Sequence, residues 1–211
     1  MKKVLFTLVF GILIYSCTST KVENDKIKYF DENNIEISKT NFNQKLSNYR
    51  QLTWAYIPEN SLVHKKLILR EKRGKITNRA IFESLLEKEI NQELDSNKPI
   101  IIIYYPGKHP SNSSGSATKK SRKIWFGELE DGINQVAQTK PIYIYKDNEG
   151  LEKYNGVSTW HKDPEGTVER LFFEYHYPHN SFVVISKDGN YISFVGELVK
   201  EYVWEATQLM N

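Results

Sequence analysis

Histidines that lie close together in the sequence are the side chains best suited to acid–base or metal chemistry. His176 and His179 flank Pro178, and His109 lies in an earlier polar segment. Zinc takes three or four such ligands. Residues three apart on a strand point to opposite faces, so His176 and His179 could share a metal only where Pro178 bends the chain. We therefore expect no metal site, and keep His109, His176 and His179 as the alternative ligand set of a metal-dependent hydrolase.

The polar segment 106–123 invites two other chemical interpretations, and its spacing argues against both. A phosphate-binding loop needs Gly-x4-Gly-Lys-Ser/Thr, because glycines free backbone N–H groups to cradle phosphates. No glycine stands directly before Lys119. A hydrolase serine sits in a Gly-x-Ser-x-Gly elbow, which the sequence around Gly115 lacks. We assign no catalytic residue and no cofactor, and predict a polar surface loop.

Cys17 is the only cysteine of the 211 residues. A chain with one cysteine forms no internal disulfide. If Cys17 carries a lipid, the rest of the chain has no thiol. Thiol redox chemistry, thiolate nucleophiles and cysteine-ligated zinc are then excluded.

The beginning of the chain has the pattern of an export signal. Lys2 and Lys3 precede an apolar run over residues 4–15, which is too short to span a bilayer as a permanent helix. The run ends in Ile14, Tyr15, Ser16 and Cys17, which resembles the lipobox of bacterial lipoproteins. The resemblance implies a signal peptide over 1–16, acylation of Cys17 and a polar tether over 17–26. Thr18, in place of an aspartate, is compatible with sorting to the outer membrane of a Gram-negative bacterium.

Charge and length limit the partners and the size of the body. Removal of residues 1–16 takes away Lys2 and Lys3 and no acid, so the formal charge falls from +3 to +1. A nearly neutral body argues against a nucleic acid partner, which calls for a strong basic patch. The remaining length suits one domain with a smaller N-terminal element.

The sequence of residues 27–76 is typical of such a small α+β element. Apolar and β-branched residues on both sides of an Asn-rich turn indicate a hairpin over 27–37. Helical spacing predicts a helix over 38–49, and alternation predicts a strand over 52–57. The basic residues of 70–75 are interpreted as a solvated surface turn.

Residues 77–211 predict an α/β body. An apolar stripe predicts a helix from residue 78, and the unbroken apolar run 100–105 predicts a central strand buried on both faces. After the loop 106–123 we expect a helix over 126–138, a strand over 142–145, an aromatic strand over 171–177, a hairpin over 181–195 and a final helix over 198–210.

This order of helix, strand, loop, helix, strand, hairpin and helix resembles the thioredoxin-like fold. The local sequence around Lys98 and Pro99, and around the hairpin from Ser181 to Gly196, is similar to sequences of that family. The likeness covers roughly residues 78–209. The resemblance implies a mixed central sheet with flanking helices. It places the family's Cys-x-x-Cys motif on four residues without cysteine, His109, Pro110, Ser111 and Asn112.

The family's dithiol exchange therefore does not carry over, but the location does. A loop at the carboxyl end of a central strand is where open α/β sheets bind ligands. Ser181 falls on the family's cis-proline position, and Trp125 lies next to a predicted loop, where aromatic residues favour interfaces. The predicted contact residues are His109, Pro110, Ser111, Asn112, Trp125 and Ser181.

The sequence thus predicts a lipid-anchored, non-catalytic binding or assembly module of the bacterial cell envelope, whose partners are the membrane and another envelope protein. The alternative is an enzyme, either a divergent thioredoxin-fold protein or the metal-dependent hydrolase that would use His109, His176 and His179.

Overall fold

The computed structural model describes residues 27–59, 62–113 and 115–211. The predicted signal peptide (1–16), Cys17 and the tether (17–26) lie outside these described residues. The strands are β1 (Tyr29–Phe30), β2 (Glu36–Ile37), β3 (Leu52–Glu59), β4 (Leu62–Leu69), β5 (Glu71–Lys75), β6 (Ile100–Tyr105), β7 (Ile142–Tyr145), β8 (Trp160–Lys162), β9 (Ser181–Ile185) and β10 (Asn190–Phe194). The α-helices are α1 (Lys39–Asn48), α2 (Arg79–Ile90), α3 (Pro110–Ser113), α4 (Lys119–Ala137), α5 (Thr167–Phe172) and α6 (Lys200–Met210).

The larger sheet has six strands in the order β5-β10-β9-β6-β7-β8. Strands β6, β7 and β8 run parallel, whereas β9 is antiparallel to β6, and β10 is antiparallel to both β9 and β5. All six residues of β6 are buried, as its unbroken apolar run predicts. The predicted α/β fold, with a mixed central sheet and flanking helices, is confirmed.

Each face of the larger sheet has its own core, because successive residues of a strand point to opposite faces. Ile101 and Ile103 of β6 pack with residues of α4 and α6 on one face. Ile100 and Ile102 pack with residues of α2 and α5 on the other. None of the helices in the described ranges is both long enough and apolar enough to cross a membrane.

The smaller sheet, in the order β2-β1-β4-β3, is built from residues within the segment 27–76, for which the sequence predicted an α+β element. Phe42 of α1 covers one of its faces and packs with Leu52 and Leu67. On the opposite face, Ala55 and Ile68 join the core that contains α2 and α5. The smaller sheet is therefore packed against the larger one.

The basic segment 70–75 forms a strand from Glu71 rather than the predicted turn, although most of its residues are exposed, as the prediction of a solvated surface requires. Only Arg70 separates β4, in the smaller sheet, from β5, which pairs along its length with β10 of the larger sheet. The charged residues of β5 suit its place at the sheet edge, because charge discourages pairing with another chain. The predicted division after residue 76 therefore leaves β5 on the N-terminal side although it belongs to the larger sheet.

The aromatic segment 171–177 was expected to be a strand, and this prediction was wrong. Helix α5 occupies its beginning because Asp163 caps that helix. Its Oδ1 accepts the N–H of Val168 and its Oδ2 accepts the N–H of Glu169, both at 2.9 Å. A carboxylate that satisfies two free donors of a first turn favours a helix there.

The loop after β6 is also shorter than the predicted 106–123. Helix α4 begins at Lys119, where the Thr118 Oγ1 accepts the N–H of Ser121 at 3.1 Å. The first turn of α4 is exposed and polar, so apolar spacing reveals the helix only from Phe126 onward.

Two glycines of α4 predict opposite effects of the same substitution. Alanine is favoured over glycine in a helix by about 1 kcal/mol. A Cβ at Gly127 meets nothing within 4 Å, whereas a Cβ at Gly132 collides with the ring of Trp204 in α6, whose Nε1 donates to the Leu129 carbonyl at 3.1 Å. We expect Gly127→Ala to raise the free energy of unfolding by about 1 kcal/mol, and Gly132→Ala to lower it by about 1–3 kcal/mol. Urea unfolding of both variants measures this, and a stabilised Gly132→Ala would contradict the described packing of α4 on α6.

Candidate functional site

The predicted contact residues lie at the carboxyl end of β6, where the chain leaves the larger sheet. Gly107 has a φ of +116°, a value that side chains other than hydrogen resist, and it turns the chain sharply after the strand. Pro110 begins the single turn of α3, where its fixed φ is favourable and its missing N–H is not needed. Together these residues present His109, Ser111 and Asn112 at the end of the sheet.

Asn112 fastens this turn to a second segment that precedes β9. Its Oδ1 accepts the His109 backbone N–H at 3.0 Å, and its Nδ2 donates to the carbonyls of Gly107 at 2.8 Å and Pro178 at 2.6 Å. The Nζ of Lys153 donates to the Asn112 carbonyl at 3.1 Å. We call residues 106–113 and 176–180 together the loop site.

His109 and Ser111 form a close pair within the loop site. The His109 Nδ1 lies 2.7 Å from the Ser111 Oγ, and the Ser111 backbone N–H donates to the same nitrogen at 3.2 Å. This arrangement favours Nδ1 as the acceptor, a tautomer inferred from the bonding pattern. A catalytic serine also needs a third group that orients its histidine. Among the described residues no hydrogen-bond partner reaches the other ring nitrogen of His109, so the pair closes a turn without the full catalytic arrangement.

The three histidines named as alternative metal ligands all lie in the loop site, where two of them pack against tyrosine rings. The ring of His109 is 5.6 Å from that of Tyr56, and the ring of His179 is 5.5 Å from that of Tyr177. Burial lowers the pKa of His176 and of His179, and the nearby charges of Lys146 and His109 respectively lower it further. Within the part of the chain that the structure describes, no three His, Cys, Asp or Glu side chains form a group able to hold a metal ion.

Trp125 lies beside the loop site, in the wall of an open cavity of about 370 Å³ that we call the side cavity. Arg122 of α4, Asn180 and Leu198 also line it. Ser181 is different, because it is only 3% exposed and is paired with Tyr104 inside the sheet. Asn180, one residue earlier, is half-buried and lines the side cavity.

Several residues that build the site have no signal in the sequence near the loop. Tyr56 comes from the smaller sheet, where its N–H donates to the His176 carbonyl at 3.3 Å. Lys153 and Tyr154 come from the short 3-10 helix before β8, and burial raises the pKa of Tyr154. These contacts depend on tertiary structure, so neither spacing nor composition could reveal them.

The relationship of this chain to known proteins gives no assignment of the site. No protein-family model matches the sequence, and no curated protein matches it. The geometry of the loop site and the side cavity is therefore the basis for the function.

The lowered pKa values of His176 and His179 predict a loss of stability in acid. In the unfolded chain these histidines bind protons as the pH falls through about 6.5, whereas the folded protein binds them only at lower pH. The free energy of unfolding should therefore fall as the pH decreases below about 6.5. The variant His179→Gln removes one of these histidines, so its free energy of unfolding should fall less steeply. Urea unfolding between pH 7.5 and 5.5 measures this difference. Carboxylates contribute equally to both proteins, so identical slopes would contradict the prediction.

Proposed function

We propose that this protein is a non-catalytic binding or assembly module of the bacterial cell envelope, held at the membrane by a lipid on Cys17. The lipobox-like sequence supports the anchor, and the loop site supports the binding role. The proposed localisation is the outer membrane of a Gram-negative cell. The body would then meet its partner in the layer next to that membrane.

The proposal includes a thioredoxin-like organisation of residues 77–211. The chain order α2, β6, α4, β7, the β9–β10 hairpin and α6 supports it, as does the strand order β7-β6-β9-β10 within the larger sheet. Helices α4 and α6 share one face of that sheet. Strands β5 and β8 are additions at the two edges.

The observation that carries the binding role is the pair of hydrogen bonds that the Asn112 side-chain amide donates to the carbonyls of Gly107 and Pro178. It joins two chain segments that would otherwise move independently at the end of the sheet. Binding is weakened by every loop that must be ordered in the complex. A surface whose loops are already fixed avoids that loss, so the loop site is suited to recognition.

The charge around this surface favours an acidic partner. Residues 106–123 contain five cationic side chains and no carboxylate, although the whole chain is close to neutral. Lys119 and Lys120 are exposed, and Arg122 lines the side cavity. Complementary charge speeds association and excludes partners of the same sign. An acidic segment of an envelope protein, with an apolar side chain placed in the side cavity beside Trp125, would satisfy both features.

The lipid anchor predicts a simple dependence on Cys17. Wild-type protein should incorporate an alkyne-labelled fatty acid and stay with the membrane fraction at high salt, because several acyl chains bind a bilayer stably. Cys17→Ser should lose the label and become soluble on export. A wild-type protein without the label would contradict the anchor. A labelled Cys17→Ser protein would show that the lipid is attached to another residue.

The charged surface predicts a matched pair of capture results. Wild-type protein, cross-linked in intact cells and purified, should co-purify with a partner. The yield of that partner should fall as the ionic strength during cross-linking rises. Lys119→Gln with Arg122→Gln removes two charges beside the side cavity and should reduce that yield at least fivefold. Lys88→Gln with Lys187→Gln removes one charge from α2 and one from the β9–β10 turn, which lies beside the start of β6 at the strand end opposite the loop site, and should leave the yield unchanged.

Both outcomes of this capture experiment are informative. Equal loss in the two variants would mean that overall charge, rather than the loop site, attracts the partner. A partner retained by Lys119→Gln with Arg122→Gln, in any amount close to wild type, would contradict the proposed surface. Circular dichroism of all proteins verifies that each variant is folded.

A further inference from the structure

A second cavity lies where the two sheets meet, and its lining includes residues 172–175, which directly precede the second segment of the loop site. It has a volume of about 460 Å³ and is lined by residues of β4, of β5, of β10 and of the segment after α5. We call it the seam cavity. Buried apolar side chains form much of its wall, among them Ile68, Phe172, Phe173 and Val195. Its volume falls in the range of cavities that hold small organic molecules.

Lys66 is the unusual residue of the seam cavity. It lies in the middle of β4 and is only 5% exposed. Its Nζ donates to the Tyr175 Oη at 3.1 Å and lies 4.9 Å from the centre of that ring. Lysine carries a positive charge and is almost never buried without a partner of opposite charge. Among the described residues no carboxylate lies within 4.0 Å of the Lys66 Nζ.

The carboxylates that line the seam cavity are each bonded to another cation. Glu32 accepts from Lys45 at 3.0 Å, Glu71 from Arg73 at 2.6 Å, and Glu174 lies 3.8 Å from Lys72. The acids of the wall therefore do not neutralise Lys66. A buried charge that has a hydrogen bond but no partner of opposite charge is unfavourable, and an anion entering the cavity would supply that partner.

The polar end of the cavity presents two hydrogen-bond donors rather than one. The Tyr175 Oη accepts from Lys66, so its own O–H proton remains available for donation. An ammonium and a phenol side by side match the two oxygens of a carboxylate. Phe172 and Phe173 provide apolar surface for the rest of such a molecule.

We infer that the seam cavity binds a small organic carboxylate with an apolar body, with its carboxylate held by Lys66 and Tyr175. The inference does not rest on the proposed partner of the loop site or on the membrane anchor. The positive charge of Lys66 selects a monoanion, and the aromatic wall selects against small polar acids such as acetate. The apolar part displaces water from the wall, which adds affinity in proportion to the area covered.

Octanoate is a suitable probe, because it combines one carboxylate with a short apolar chain. Isothermal titration of the full chain without its signal peptide should show saturable octanoate binding, and octanoate should raise the melting temperature. Acetate, which has the charge alone, and octanol, which has the chain alone, should each bind at least tenfold more weakly. Equal affinity for octanol would mean that the cavity is merely apolar, and this would overturn the role of Lys66.

Lys66→Met is the decisive variant, since methionine keeps an unbranched apolar side chain only one atom shorter and removes the charge. It should weaken octanoate binding at least tenfold. Without ligand it should melt at a higher temperature than wild type, because replacement of a buried uncompensated charge by an apolar side chain removes an unfavourable burial. A residue with a purely structural role would lower the melting temperature instead.

Lys65→Met is the matched control, because the neighbouring Lys65 points to the other face of the sheet, where its Nζ lies 4.5 Å from the centre of the Trp54 ring. It should bind octanoate as wild type does. If Lys66→Met does not fold, Tyr175→Phe tests the same site, since it keeps the ring and removes the phenol O–H; its octanoate affinity should fall about threefold or more. Absence of octanoate binding to the wild type, or equal binding by wild type and Lys66→Met, would overturn the inference.

Discussion

Arg70 connects the two sheets, and the arrangement of the remaining elements depends on it. Its side-chain Nε donates to the carbonyls of Arg50 at 3.1 Å and Leu52 at 3.0 Å, and its backbone N–H donates to the Gln51 carbonyl at 2.8 Å. These bonds hold the end of the smaller sheet. Its own carbonyl accepts the Val195 N–H at 2.8 Å, which fixes the residue to the chain just after β10 in the larger sheet. A single residue thus passes the chain from one sheet to the other, and the seam cavity forms beside this crossing.

At the seam one residue joins the two sheets directly. At the carboxyl end of β6, by contrast, the strand ends and several separate segments of the chain meet. The loop site is built from hydrogen bonds between side chains and backbone, with Asn112 at its centre. Backbone groups that leave a sheet must find partners, and here an asparagine amide provides them for two loops at once. The buried core lies beneath this site, and the cationic side chains of residues 119–123 lie on the surface beside it. The two candidate sites therefore differ in kind: the proposed partner of the loop site is recognised by surface charge, and the proposed ligand of the seam cavity is a small molecule held between the two sheets.

The sequence predicted the elements whose side chains follow a simple rule of burial. Strand β6 is apolar at all six positions because both of its faces are covered, and the hairpin β9–β10 follows from two apolar runs about an Asp-Gly turn. Strands β4 and β5 escaped prediction because lysine and arginine occupy so many of their positions. Lys66 is buried, against the usual preference of lysine, so a rule that places charge on the surface fails at that residue. The first turn of helix α5 is bonded to Asp163, which lies four residues before the helix begins and across a 3-10 turn, so the usual N-cap position next to the helix gives no signal of it. Of the loop site, the sequence located the turn 109–112, but Tyr56 and Lys153 reach it through tertiary contacts.

The pairing of β1 gives the body a defined point at which mechanical load enters. Tension applied from the N-terminal side of residue 27 reaches the described body first through β1, which has two residues and pairs with β4 at Lys65 and Lys66. Two paired residues resist little force compared with the eight pairs between β3 and β4. A pull from that side therefore acts first on β1 and on β2, with which β1 also pairs, and the strand that β1 covers is the one that carries Lys66 at the wall of the seam cavity.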